Sequence, residues 1–202
     1  NMNLALVYRG FYKRDGRTKK NSFSLDFFKN HLHSINSLAV NNIDIYFHTY
    51  TYNDYEDNNF LSIFESYNVK KYNIEKEINS SISYSIINSL ELLENKKYDL
   101  IINTRFDIYF KRPLNEFNIN NKKINLLFKE QKKFWNKDKR VSDLIYILPS
   151  EYKNVLISAL KKSQHLNKTA AGHYIYNYLD VNTNNINFMI DGFFDSNTDK
   201  QS

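Results

Sequence analysis

The stretch Tyr98-Asp-Leu-Ile-Ile-Asn-Thr-Arg-Phe-Asp-Ile-Tyr-Phe-Lys-Arg-Pro-Leu114 opens as a short apolar run and ends in charge. Leu100-Ile101-Ile102 has the length and branching of a strand buried on both faces. Asn103, Thr104, Arg105 and Asp107 then interrupt it, and Pro113 takes the chain out of regular structure. A buried strand that ends in an Arg and an Asp sets both charges at the carboxyl edge of a sheet. In open α/β sheets that edge is where ligands bind.

Outward from this stretch, strands and helices alternate. Towards the start, Leu4 to Tyr8 is an apolar strand that ends in Arg9-Gly10. Ser24 caps a helix whose apolar stripe is Leu25, Phe28, Leu32, Ile35 and Ala39. His31 and His33 fall off that stripe and are expected at the surface. Ile43 to Tyr50 alternates and is rich in strand formers, which sets His48, Thr49 and Tyr50 at the same edge. Asn53 to Asn58 reads as an acidic loop, Val69 to Tyr72 as a short strand, and Asn79-Ser80-Ser81 as the cap of a helix with Ile82, Ile86, Leu90 and Leu93 inward. Towards the end, Ile124 to Phe128 and Leu144 to Leu148 are expected strands. Ser150 opens a helix with Lys161 and Lys162 near its end, Thr169 to Leu179 is a further helix, and Ile186 to Ile190 a last strand. The alternation predicts one α/β domain with a mostly parallel central sheet flanked by helices. Gly10 gives either a tight turn or a close approach of backbone to ligand.

The composition narrows what such a domain can do. At 202 residues the chain holds a real core, and its 16 Tyr and 15 Phe oppose disorder. With no cysteine, disulfides, zinc thiolates and thiol chemistry are excluded. The four glycines, Gly10, Gly16, Gly172 and Gly192, cannot form a glycine-rich dinucleotide or P-loop fingerprint. No apolar run approaches the ~18 residues of a membrane span, and the start lacks a signal-peptide core, so the expectation is a soluble, cytoplasmic protein. Net charge is +6, with lysines clustered from Lys111 to Arg140. That cluster is either a solvated face or a surface for an anion. Trp135 within it either anchors the segment to the core or stacks a sugar or base. Lys13 to Arg17 is expected as a basic mobile loop, and the residues from 196 on as a frayed tail.

A short apolar strand ending in Arg-Phe-Asp resembles the metal- and diphosphate-binding turn of GT-A glycosyltransferases, the group with an Asp-x-Asp signature. In particular it is similar to the small sugar transferases of large DNA viruses and bacterial surface-polysaccharide clusters. The likeness extends to Leu4-Ala-Leu-Val-Tyr-Arg-Gly10, to Ile43-Asp-Ile-Tyr-Phe-His-Thr49 and, more faintly, to Ser142-Asp-Leu-Ile-Tyr-Ile-Leu-Pro-Ser150. It implies a GT-A-like domain, with a nucleotide-sugar half over about residues 1–112 and an acceptor half over about 113–195. It implies transfer of a sugar from a nucleoside diphosphate sugar, UDP-sugar favoured, to a glycan or glycoprotein acceptor. The implied donor site is Tyr8, Arg9, Gly10, His48, Thr49, Arg105 and Asp107. Asp107 would also hold Mn²⁺ or Mg²⁺, and Asp143 and Asp191 are the candidate catalytic carboxylates.

Sugar transfer breaks the bond from the anomeric carbon to a phosphate oxygen, and the barrier falls when the departing diphosphate is neutralised. An oxygen-ligated cation on Asp107 would do this. Arg105 stands where the family has its first Asp. An Arg holds no metal, but it can clamp a phosphate with a fork of N–H donors. It can also simply pair with Asp107. The alternative from a different class is a non-catalytic module that binds nucleic acid or sugar through the basic face. The sequence carries no RNA- or DNA-binding signature.

Overall fold

The structure, a computed structural model, describes residues 2–13, 22–77, 81–167 and 170–195. Strand β1 (Met2–Arg9) is buried from Leu4 to Arg9, as expected of a strand with neighbours on both sides. Helix α1 (Leu25–Asn36) follows, capped by Ser24, whose hydroxyl accepts from the Phe27 N–H. Then come β2 (Val40–Tyr50), α2 (Asp54–Ser62), β3 (Val69–Glu75), α3 (Ile82–Glu91) and β4 (Leu100–Arg105). The second half is β5 (Ile124–Leu126), β6 (Lys129–Glu130), α4 (Lys132–Asp138), β7 (Ile145–Leu148), α5 (Lys153–Leu166), β8 (Ile186–Phe188) and β9 (Phe193–Phe194).

Seven strands form one sheet in the order β3-β2-β1-β4-β7-β5-β8, and β6 pairs with β9 apart from it. β1 lies parallel between β2 and β4, and β2 lies parallel to β3. β7 runs antiparallel to β4 and to β5, while β8 is parallel to β5. The domain is therefore α/β with a mostly parallel sheet flanked by helices, in the arrangement of the GT-A-like fold. The reversal of β7 has a geometric result. Its start, not its end, lies at the carboxyl edge of its neighbours: Thr104 sits opposite Ile145. Asp143, two residues earlier, thus joins Arg9 and Arg105, which are themselves register partners.

The two faces of the sheet are packed differently. On one, α1 and α2 close over a core rich in rings, with Tyr8, Phe23, Phe28, Phe47, Phe60, Phe64 and Phe106. On the other, α3 and α5 close over aliphatic side chains such as Val7, Ile86, Leu90, Ile101, Leu156 and Leu160.

Several expectations need correction. His31 is not at the surface: it is fully buried, with Nδ1 2.6 Å from the Tyr8 hydroxyl and Nε2 2.5 Å from the Ile108 carbonyl. Those two partners satisfy an imidazole that helical periodicity alone places outside. Leu25 is exposed, and Ala39 lies past the end of α1. The acidic segment from Asn53 is not a loop but the first turn of α2, with the Asn53 side chain accepting from the Glu56 N–H at 2.8 Å. Ser81 does cap α3. The segment 130–140 contains a helix, α5 runs on to Leu166, and residues 171–178 form a 3₁₀ turn rather than an α-helix. The expectations for residues 14–17, Asn79, Ser80, Thr169 and the tail from 196 lie outside the described residues.

Candidate active site at the carboxyl edge

Arg105, Phe106 and Asp107 continue the strand's alternation past its end. Phe106 is fully buried and stacks on Tyr8, with ring centroids 4.8 Å apart and planes 9° from parallel. Turning Phe106 inward leaves Arg105 and Asp107 together on the other side. They form a two-pronged ion pair, Nε to Oδ1 at 2.8 Å and Nη2 to Oδ2 at 2.6 Å. Burial alone would pull the Arg105 guanidinium down. The fork with Asp107 and the charge of Asp143 outweigh it and push its pKa up.

Arg9 lies beneath this pair and is 2% exposed. Its Nη2 donates to the Asp143 carbonyl and, at 3.2 Å, to that of Leu144, while its Nε donates to Asn103 Oδ1 at 3.4 Å. Asn103 in turn donates to Ser89 of α3 at 2.9 Å. A single guanidinium thus ties the start of β7 to the end of β1 and to β4. Burial lowers its pKa to about 10, opposed chiefly by Asp143, so it remains a cation at neutral pH.

Asp143 is almost fully buried. His173 Nε2 lies 3.6 Å from its Oδ2. The other ring nitrogen, Nδ1, is 2.8 Å from the Val141 carbonyl and 3.5 Å from Glu130 Oε1. A carbonyl only accepts, so Nδ1 carries the proton. Gly172 is required here by space: a β-carbon on it would fall 2.9 Å from Asp143 Cβ. Glu130, Gly172 and His173 were not among the residues singled out as site candidates. The one signal for them in the sequence is that a His follows one of only four glycines.

The remaining candidates are placed as follows. The Tyr8 ring lies in the aromatic core, where burial pushes its phenol pKa up, and only its backbone reaches the edge. Gly10 has φ +93° and open space where a β-carbon would go. That φ meets the need of the left-handed turn. Thr49 pins that turn, donating to the Gly10 carbonyl at 2.7 Å and accepting from the Tyr12 N–H at 3.2 Å. His48 is 1% exposed, with Nε2 2.9 Å from Glu75 Oε1 and no hydrogen-bond partner on Nδ1 among the described residues. Burial pushes its pKa down. Asp191 is exposed in the turn from β8 to β9, at the same edge as Asp143. It is two strands away from β7, roughly 10 Å at the usual strand spacing. Arg9, Arg105, Asp107 and Asp143 therefore come together, while Tyr8, Thr49 and Asp191 do not join them.

No family model matches the chain, and no curated protein matches it. Solved structures do. The 4-diphosphocytidyl-2C-methyl-D-erythritol synthase of Anaerococcus prevotii aligns over 92% of this chain and 85% of its own, at 9% identity and a TM-score of 0.51. A nucleoside-diphosphate-sugar pyrophosphorylase of Vibrio cholerae aligns over 92% of this chain and 90% of its own, at 12% identity and a TM-score of 0.48. At such identities the likeness concerns the fold alone, and the first of these two carries it.

Proposed function

We propose that the chain is an enzyme that transfers a sugar from a nucleoside diphosphate sugar, UDP-sugar favoured, to a glycan or glycoprotein acceptor. The observation that carries this reading is the convergence of Arg9, Arg105, Asp107 and Asp143 at one sheet edge, reached only because β7 runs backwards. A solved structure that this chain resembles in fold is named for diphosphocytidyl chemistry. Transfer of a nucleotidyl group is the less favoured reading. A triphosphate is commonly cradled by successive glycine amides, and the chain has one glycine, Gly10, at the end of β1.

In the proposed reaction Arg105 faces the departing diphosphate. Its fork to Asp107 uses Nε and Nη2 and leaves the Nη1 side for a phosphate oxygen. Arg9 adds a fixed positive charge from below. Asp143 acts on the sugar or takes the proton of the acceptor hydroxyl, oriented by Gly172 and His173. Asp107 would hold Mn²⁺ or Mg²⁺ only through the lone pairs that the Arg105 fork leaves on its two oxygens, beside a fixed positive charge that weakens a cation there. The cation would supply charge to the departing diphosphate, and no step is routed through it here. His48 is proposed beside the nucleotide, and Asp191 as the second candidate catalytic carboxylate.

Thermal-shift and calorimetric titration with UDP-, GDP- and dTDP-sugars, with and without Mn²⁺, tests the reading. One of these donors is expected to raise the melting point, because a ligand of the native state stabilises it. No shift with any of them would end the glycosyl-transfer proposal.

A further inference from the structure

The segment from Lys129 to Val141 leaves the site and returns to it. An isolated bridge joins Lys129 to Val141, and the Glu130 N–H donates to the Arg140 carbonyl at 3.0 Å. Between these ends α4 forms a short platform whose base stands two residues from Asp143. The platform carries six cations, Lys129, Lys132, Lys133, Lys137, Lys139 and Arg140. Of the segment's two acids, Glu130 is buried beside His173.

Four of the six cations are held by rings. Lys129 and Lys139 each place Nζ 4.9 Å from the Trp135 ring centre, and Lys133 stands 4.7 Å from that of Phe134. Arg140 lies 5.3 Å from Phe134 and 5.9 Å from Tyr174, the neighbour of His173. Its Nε is buried and has no hydrogen-bond partner among the described residues. Ring contacts fix a cation without cancelling it, whereas a carboxylate would cancel it. Among the described residues none of the six forms an ion pair. The result is a net positive field beside Asp143, from six cations against the two acids Glu130 and Asp138.

We propose that this platform binds the acceptor, and that the acceptor is an anionic saccharide bearing phosphate or carboxylate groups. The proposal rests on the glycosyl-transfer reading of the same edge. A polynucleotide is the poorer match. Base stacking needs an open ring, and Trp135 is packed edge-on against Tyr176 and Phe188 with ammonium groups over its ring.

The test titrates the full chain with four labelled probes: a carboxylated, a phosphorylated and a neutral hexasaccharide, and a single-stranded oligonucleotide. It repeats them with the Lys132→Ala/Lys133→Ala/Lys137→Ala triple variant and with Arg140→Gln. At least one anionic saccharide is expected to bind ~10-fold or more tightly than the neutral one, and Arg140→Gln to weaken it by a similar factor. The triple variant should weaken it as well, and added salt should do the same to the wild type. The anionic probe that binds more tightly identifies the group recognised. Equal binding of charged and neutral saccharides, indifference to both variants, or an oligonucleotide that outcompetes every saccharide would overturn the proposal. Donor binding is measured separately on the same samples. Its absence counts against glycosyl transfer whatever the saccharides do, and its presence without a charge preference counts against the platform alone.

Discussion

Arg105→Lys separates two roles that the guanidinium combines. A lysine keeps the charge but cannot make the fork with Asp107 or present a second edge to a phosphate. The donor that binds best to the wild type should bind ~10- to 100-fold more weakly to this variant. The melting point should change little, because Arg105 is partly exposed. Calorimetry checks the first and thermal denaturation the second; unchanged affinity would remove Arg105 from the donor site. His31 gives a prediction of another kind. Burial, partly offset by the Ile108 carbonyl, lowers its pKa from 6.5 to about 4. Between those values the unfolded chain binds the extra proton and the folded chain does not. Stability is then full above the unfolded value and falls as pH drops through the window, by up to about 3 kcal/mol. Denaturant unfolding at neutral pH and at about pH 4 should show this loss in the wild type, and a smaller one in His31→Asn. At this scale Arg105 and Asp107 were legible in the sequence as a clamp or a pair. Which of the two holds depends on Phe106 finding Tyr8, a contact between distant strands. His31 was illegible for the same reason: its partners come from β1 and from the segment after β4.

Among the elements, β7 matters most to the chemistry. An apolar run such as Ile145 to Leu148 announces a strand but carries no sign of its direction. Parallel to β4, it would have put Asp143 at the far edge; antiparallel, it puts Asp143 over Arg9. Asp143→Asn is expected to reduce turnover on the order of 10²–10⁴-fold while leaving nucleotide binding nearly intact. Slow hydrolysis of the donor by water gives a readout that needs no acceptor. Hydrolysis at the wild-type rate would deny Asp143 a part on the donor side. The strands β1, β2 and β4 were legible because β1 and β4 carry uninterrupted apolar runs and β2 alternates among strand formers. α2 was not, because its first turn is made of residues that also populate loops, and only the Asn53 cap distinguishes the two.

Taken whole, the molecule divides its labour between the two faces of one sheet. The ring-rich face is also the mount for the site, since Phe106 sits between the two charged residues of the edge and stacks on Tyr8. Phe106→Ala should cost about 3–5 kcal/mol through lost burial and the cavity left behind. It should also weaken donor binding, because the fork loses the residue that aims it. Unfolding and binding measured together check this; a variant that is destabilised but binds donor normally would show that the edge is independent of its mount. The flank of the sheet is protected in a different way. Edge strand β3 exposes Lys70, Lys71, Tyr72 and Asn73, and its lysines discourage another chain from adding to the sheet. No helix among the described residues is long and apolar enough to cross a membrane.

Trp135 is the only tryptophan in the chain, and it lies on the basic platform with two ammonium groups over its ring. Indole emission responds to nearby charge, so the protein carries its own optical reporter in a single known place. Excited at the red edge, where tyrosine is dark, its colour and intensity should follow the occupancy of α4 without any label. An anion that draws Lys129 or Lys139 off the ring would be visible as a change in that light. A nucleotide settling near His48 on β2, at the opposite flank of the sheet from β8 on which Trp135 packs, would leave it as it was.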